Sequence, residues 1–467
     1  MNTLLDGKKV LVVGAARSGM AAARFLLARG ARVTLSDSAP LERLPAAADL
    51  ARTHGVTVET GGHTVPTFVA QDLVVVSPGV PTHLAELAAA RDAGVRVIGE
   101  VELASWFLQG RIVGITGSNG KTTTTALIGK ILETAGYRVH VGGNIGDPLI
   151  SQVEDSRPDS IHVVELSSFQ LETTEAFRPH VAVVLNVTPD HLDRHASFDD
   201  YAAAKGRIFA NQGGQDFAVL NADDAVCRAY AARTRAGVHW FSTRHAVDAG
   251  AFLQETDIVF RGPLAGAGAE AWTLTVMGAE EIPLKGVHNV ENALAAVCAA
   301  ALLGGDFQKI RAGVRAFRAV EHRLEYVATV GEVEFYNDSK ATNVDAAIKA
   351  LEAFPGNLLV ILGGKDKGSD YRPLGPLLAA RARQAFLIGQ AADQIAEHLG
   401  AAVPLLKVGT LDAAVVEAFR RSRPGDVILL APACASFDQF QNYEHRGRVF
   451  KELVAKLTGG AGSGLIQ

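Results

Sequence analysis

Short apolar, often β-branched runs alternate along the chain with Ala- and Leu-rich stretches at helical spacing. This is the pattern of a parallel sheet covered by helices. Three such blocks separate. In the first, Val10–Val13, Arg32–Ser36, Leu73–Val76 and Val95–Ile98 read as buried strands. In the second, Arg111–Ile115, Arg138–Val141, His162–Leu166, Val181–Asn186 and Phe217–Leu220 do so. A third begins after Phe317, with Leu358–Leu362, Ala385–Ile388, Leu405–Val408 and Val427–Leu430. Thr243–Leu284 breaks the rhythm: Gly262–Gly268 reads as a loop and its flanks as antiparallel strands. The expectation is an α/β protein of three domains, residues 1–99, 100–318 and 319–467, with a mainly parallel central sheet plus a small antiparallel one. Thr458–Gln467, rich in Gly and Ser, is expected to fray.

Composition narrows the function classes. Hydrophobic residues make up 48% and charged residues 20% of the 467, which excludes a disordered chain. A net charge of −5 gives no basic footprint for nucleic acid. Cys227, Cys298 and Cys434 lie too far apart to suggest a disulfide framework or a cysteine zinc site. Met1–Lys9 has no signal-peptide layout, and the longest uncharged stretch, Asn292–Gly305, is shorter than the roughly 20 residues of a membrane span. A cytoplasmic enzyme without membrane insertion is expected, working as a monomer.

The chemistry starts at Gly114-Ile-Thr-Gly-Ser-Asn-Gly-Lys-Thr-Thr123, which follows a strand and opens the helical stretch Thr124–Ala135. Glycines let backbone N–H groups turn onto phosphate oxygens, and the helix N-terminus favours the anion. Lys121 can reach the outer phosphates, and Thr122 can offer its hydroxyl to Mg²⁺. The strict G-x-x-x-x-G-K-[ST] spacing is not met, because Ile115 stands five places before Gly120. Glu165 ends an apolar strand, where a Mg²⁺ ligand beside a phosphate loop belongs. Asn186-Val-Thr-Pro-Asp-His-Leu-Asp193 closes another strand and brings His191 to the same mouth. Lys205, in the helical stretch Tyr201–Phe209, reads from local sequence as a solvated surface lysine.

These motifs converge on a family. Thr116–Thr123 resembles the ATP loop of the Mur ligases, the ATP-dependent amide ligases of peptidoglycan assembly. Gly142-Gly-Asn-Ile-Gly146, Glu165-Leu-Ser-Ser-Phe-Gln-Leu-Glu172, His288-Asn-Val-Glu-Asn-Ala293 and Glu321-His-Arg323 are similar to its D-glutamate-adding branch, as are Asn337-Asp-Ser-Lys-Ala-Thr-Asn343 and Ala431-Pro-Ala-Cys-Ala-Ser-Phe-Asp-Gln-Phe440. The matches keep their order from the first strand to about Lys451.

The resemblance implies a Rossmann-like UDP-binding domain, a central P-loop ATPase domain and a Rossmann-like C-terminal domain that brings the amino acid, with domain closure uniting them. It implies ATP, two Mg²⁺ ions, UDP-N-acetylmuramoyl-L-alanine and D-glutamate as cofactors and partners. By resemblance Gly117, Ser118, Asn119, Gly120, Lys121, Thr122, Thr123, Asn292, Arg323 and Asp338 bind ATP. Thr122, Glu165, His191 and a carbamylated Lys205 hold the metal, and Lys121, His191 and Lys205 are the catalytic set. Arg17, Ser18, Asp37, Ser77, Gly79, Asn144 and His191 face the nucleotide-sugar, and Thr342, Lys367, Ser436 and Tyr443 face D-glutamate. Carbamylation reverses the reading of Lys205: an ammonium would repel Mg²⁺, whereas a carbamate binds it.

The first domain departs from the pattern. In Gly14-Ala-Ala-Arg-Ser-Gly19, Ala16 takes the middle position of G-x-G-x-x-G, which argues against NAD but leaves room for one pyrophosphate. Ser38-Ala39 lacks the arginine expected two places after Asp37 to stack on uracil. The alternatives are another amide ligase of the same superfamily, an NAD-dependent dehydrogenase using Gly14–Gly19, and a P-loop ATPase that moves a partner.

Overall fold

The computed structural model describes residues 4–190, 194–262, 272–284, 286–318, 320–366 and 368–460. Two compact units divide the chain, Met1–Glu281 with Glu291–Ala316, and Ile282–Val290 with Phe317–Gln467.

The first unit holds two sheets. The first is β1 (Lys9–Val13), β2 (Arg32–Asp37), β3 (Thr57–Thr60), β4 (Leu73–Val76) and β5 (Arg96–Gly99), all parallel, in the order β3-β2-β1-β4-β5. Strand side chains alternate between faces. Val10, Val12, Leu73 and Val75 therefore enter one core, and Leu11, Val13, Val74 and Val76 the other. Burial on both faces is why these strands read as unbroken apolar runs. β3, half-exposed and polar, has no such run and went unrecognised in the sequence.

The second sheet comprises β6 (Arg111–Thr116), β7 (Arg138–Gly143), β8 (Ser160–Glu165), β9 (Val181–Val184), β10 (Phe217–Asn221), β11 (Gly237–Ser242), β12 (Gly250–Gln254), β13 (Asp257–Gly262) and β14 (Trp272–Gly278). Its order is β14-β13-β12-β11-β10-β9-β6-β8-β7. From β7 to β12 the pairing is parallel, and β12–β13 and β13–β14 are antiparallel. The antiparallel strands fall where the rhythm broke, and most of the expected Gly262–Gly268 loop lies outside the described residues.

The helix Lys121–Ala135 buries Leu127, Ile128, Ile131 and Leu132. Fully burying side chains of this size is worth about 1.5–3 kcal/mol each. The helix Phe307–Ala316 packs on it through Gly313, where a Cβ would come within 2.6 Å of the Ile131 backbone.

The second unit is built on β15 (Glu325–Val330), β16 (Val333–Asn337), β17 (Leu358–Gly363), β18 (Ala382–Ile388), β19 (Leu405–Gly409) and β20 (Val427–Leu430). The order is β15-β16-β20-β17-β18-β19, parallel except for the β15–β16 pair. Leu358, Val360 and Leu362 face one core, and Leu359 and Ile361 the other. The final helix, Tyr443–Gly460, continues into the stretch expected to fray, and residues 461–467 lie outside the described set. No helix among the described residues is long and apolar enough to cross a membrane.

Candidate functional site

Two glycine loops, each joining a strand to a helix, mark the first unit. The first follows β1. Gly19 belongs to the opening of the helix Arg17–Ala28, and a Cβ there would collide with the Gly14 carbonyl and lie 2.7 Å from Ser77 Oγ. Helix and loop can therefore close together only with glycine at 19. Ser77 Oγ donates to the Gly14 carbonyl (2.8 Å), and the Ala15 N–H donates to Asp37 Oδ2 (2.7 Å).

These ties shape a cleft of about 590 Å³ at the carboxyl ends of β1 and β4, where the strand order reverses. Arg17, Ser18, Asp37, Ser77, Gly79 and Asn144 all line it, so the structure brings together six of the seven residues expected at the nucleotide-sugar. His191, the seventh, lies outside the described residues. Ser38, His63 and Gln170 also line the cleft, and nothing in the local sequence marks Ser38 or His63 for it. Gln170 is legible in retrospect: its side-chain oxygen accepts from the Ser167 N–H (2.9 Å) in a capping box, fixing it beside the strand end that carries Glu165.

The second loop follows β6. Gly120 has φ of +84°, and a Cβ would run into Asn292 Oδ1, which accepts from Thr124 Oγ1 at 3.1 Å. Asn292, expected near the nucleotide, is thus packed on the phosphate loop. Asn186 braces the other side: its carbonyl accepts from the Ser118 N–H (2.9 Å) and its Oδ1 from the Asn119 N–H (2.8 Å). Ser118 Oγ reaches the Thr188 carbonyl at 2.9 Å and Tyr201 Oη at 3.0 Å. In the sequence, Asn186 and Thr188 are only the flanks of His191. The N-cap of the helix that starts at Lys121 is Gly120, which has no side chain to cap the first turn, an arrangement that suits phosphate oxygens.

Charge concentrates here. Lys121 Nζ donates to the carbonyls of Gly117 (2.8 Å) and Ser118 (2.9 Å). Lys205 is not a solvated surface lysine: it is 1% exposed, donates to the same Gly117 carbonyl at 2.8 Å, and lies 4.4 Å from the Tyr201 ring centre. Burial, helped by the charge of Lys121, holds its ammonium well below the usual lysine range. The local pattern misled because its helix, Phe198–Gly206, turns this lysine inward beside Tyr201 and Ala204.

Glu165 is buried at the end of β8. Its Oε1 accepts from Asn144 Nδ2 (2.9 Å), while its Oε2 is buried without a hydrogen-bond partner among the described residues. An unsatisfied buried carboxylate oxygen facing a phosphate loop fits a divalent cation. Among the described residues no group of three or more His, Cys, Asp or Glu forms a metal site. Among the described side chains, Glu165 and the Thr122 hydroxyl fit a metal together with phosphate oxygens, and His191 lies outside the described residues. The deprotonated amine of Lys205 is the form that CO₂ converts to a carbamate, so that modification also fits.

In the second unit, the loops after the neighbouring parallel strands β16, β20 and β17 lie at the carboxyl end of the sheet. Arg446, fully buried, ties two of them. Its Nε donates to Ser339 Oγ (2.9 Å), and its Nη2 to the carbonyls of Ser339 (2.8 Å) and Cys434 (3.1 Å). Burial lowers its pKa to about 10. Nothing in the charged helical sequence around Arg446 marks it out. Ser339 Oγ donates to the Tyr443 carbonyl at 2.8 Å, and the Lys365 N–H donates to the Ala435 carbonyl at 2.8 Å. Ser339, Ala435 and Tyr443, the first residue of the final helix, are thus tied to these loops; Thr342 and Ser436 lie in the segments after β16 and β20, and Lys367 lies outside the described residues. Asp338 is buried and pushed up to about 6, with Arg323 opposing the shift.

Residues 8–99 match the Mur ligase MurD-like N-terminal domain, 115–300 the Mur ligase middle domain, and 322–434 the Mur ligase glutamate ligase domain. The chain belongs to the Mur ligase family. Within it, the chain is 58% identical over 457 residues to the UDP-N-acetylmuramoylalanine–D-glutamate ligase of Acidobacterium capsulatum, covering 98% of each chain. It is 56% identical over 453 residues to the ligase of the same name from Solibacter usitatus, covering 97% of this chain and 99% of the relative. The fold is shared with UDP-N-acetylmuramate-alanine ligase MurC of Thermotoga maritima (TM-score 0.59, 20% identity, 96% of this chain and 99% of that one). It is shared too with the MurF ligase of Thermotoga maritima in complex with ADP (TM-score 0.58, 18% identity, 98% and 97%).

Proposed function

We propose that this chain is the ATP-dependent ligase that adds D-glutamate to UDP-N-acetylmuramoyl-L-alanine in peptidoglycan precursor synthesis. The reading extends to a cytoplasmic monomer of three domains, 1–99, 100–318 and 319–467, each built around one of the three sheets. One observation carries the mechanism: Asn144 lines the nucleotide cleft and also donates to Glu165 beside the phosphate loop. A carboxylate at the Asn144 end of the cleft is therefore directed at the γ-phosphate of ATP.

The carboxylate oxygen attacks the γ-phosphorus, the bond to ADP breaks, and an acyl phosphate results. The amine of D-glutamate then attacks the acyl carbon, loses a proton and expels phosphate, leaving an amide. The first step brings two anions together and needs concentrated positive charge. Lys121 supplies part of it and holds the outer phosphates, while Gly117, Ser118, Asn119, Gly120 and Thr123 shape the loop around them. Thr122, Glu165, His191 and carbamylated Lys205 would hold two Mg²⁺ ions, which when bound neutralise phosphate charge.

Asn292, Arg323 and Asp338 complete the ATP site in this reading. Arg17, Ser18, Asp37, Ser77, Gly79 and Asn144 hold the nucleotide-sugar together with His191, and Thr342, Lys367, Ser436 and Tyr443 hold D-glutamate. The test is phosphate release from ATP with UDP-N-acetylmuramoyl-L-alanine and single amino acids. Release that requires D-glutamate is expected. Release with another amino acid alone, or without any acceptor, would contradict the assignment.

A further inference from the structure

The nucleotide cleft contains one side chain whose hydrogen bonding prepares it for a particular partner. His63 lies just past β3, the outermost strand on the β2 side of the first sheet. The cleft is lined in turn by the segments after β3 (His63), β2 (Asp37, Ser38), β1 (Gly14–Ser18) and β4, and then by Asn144 and Gln170. The reacting carboxylate belongs at the Asn144 end. The Gly14–Ser18 loop suits the pyrophosphate, so the base of a UDP-linked ligand belongs beyond it, toward β2 and β3.

Asp37 is already engaged there. Its Oδ2 accepts from the Ala15 N–H (2.7 Å) and its Oδ1 from the Ala39 N–H (2.8 Å). Neither Ser38 nor Ala39 offers an aromatic or charged group.

The tautomer of His63 follows from its neighbours. Ser36, fully buried, donates its hydroxyl hydrogen to Glu59 Oε2 at 3.1 Å. A hydroxyl has one hydrogen to give, so its 2.7 Å contact with His63 Nδ1 has the ring nitrogen as donor. With the proton on Nδ1, Nε2 of the neutral ring is an acceptor. The chain Glu59–Ser36–His63 polarises that lone pair, and the edge of Phe68 at 5.7 Å helps to hold the ring.

We propose that His63 is a specificity residue for the pyrimidine base, with Nε2 accepting the N3–H of uracil. This rests on the reading of the cleft as the UDP-linked substrate site. Cytosine carries no hydrogen on N3, so the same contact would select uracil nucleotides.

The test is calorimetric binding of UDP and of 3-methyl-UDP, in which a methyl replaces that hydrogen, to the full chain, to His63→Ala and to Ser36→Ala. Unmodified protein is expected to prefer UDP. His63→Ala should bind UDP about three- to tenfold more weakly, the range of one neutral hydrogen bond, and should lose most of its preference over 3-methyl-UDP. Ser36→Ala keeps the ring but frees its tautomer, and should narrow the preference by a smaller factor. Equal weakening of both nucleotides by His63→Ala, or none, would overturn the role of His63 while leaving the cleft assignment intact. Failure of the unmodified protein to bind UDP would overturn the cleft assignment and this inference together.

Discussion

The two glycine loops of the first unit share a plan, strand to loop to helix, yet they are equipped for different tasks. Around Gly14–Gly19 the polar groups bind one another or line an open cleft: Ser77 holds Gly14, Asp37 holds Ala15, and Arg17 is exposed. Around Gly117–Thr123, two lysines converge on the Gly117 carbonyl, with the buried carboxylate Glu165 at the neighbouring strand end. Gathering charge in a low-dielectric site is costly unless a ligand uses it. The first loop is therefore suited to binding and the second to stabilising charge as a bond is made. Backbone geometry alone does not separate them; the side chains that later elements bring back to each loop do.

The strongest way to break this division is Lys205→Ala. If the second loop carries the bond-making charge, kcat should fall about a hundred- to a thousandfold, with KM for the nucleotide-sugar changed little. With the carbamate proposed at Lys205, acetate or formate should restore part of the rate by occupying the position its anionic group vacates. Full activity without added acid would remove Lys205 from the chemistry.

A smaller effect is expected at the first loop. Arg17→Ala should raise KM for the nucleotide-sugar about tenfold, the lower end for a charged hydrogen bond at an exposed position, and leave kcat within about twofold. Steady-state kinetics at saturating ATP and D-glutamate would decide it. A fall in kcat comparable to that of Lys205→Ala would mean that the two loops do not divide the work.

The smallest effect lies at the seam between the two sheets. Glu100, just after β5, is buried and accepts from the Ile150 N–H at 2.6 Å, and burial pushes its carboxyl up to about 7. A raised carboxyl pKa means that the native state holds the proton more tightly than the unfolded chain. This group's contribution to stability therefore declines as pH rises from about 4.5 to about 7. Glu100→Gln, neutral throughout, should melt about 3 °C higher than the unmodified protein at pH 8, with the gap shrinking toward pH 5. A gap that widens toward pH 5 would show that the Glu100 carboxyl is not the cause.

Much of this architecture was legible because fully buried parallel strands leave apolar runs, and because a glycine loop between strand and helix is a local signal. Elements that depend on distant partners were not. β3 and β15 are partly exposed edge strands held by their neighbours. The burial of Lys205 is decided by the loop it meets, 88 residues away along the chain. Arg446 is recruited by Ser339 across 107 residues. His63 was invisible for the same reason: its role depends on Ser36 and Glu59, and only the fold brings the three together.

In the proposed reaction, a carboxylate in the cleft is phosphorylated by ATP at the second loop before the amide forms. Placing ¹⁸O in the carboxylate of UDP-N-acetylmuramoyl-L-alanine and following one turnover with D-glutamate tests it directly. One labelled oxygen should appear in the released phosphate and the other should remain in the amide carbonyl. Phosphate free of label would contradict the acyl phosphate.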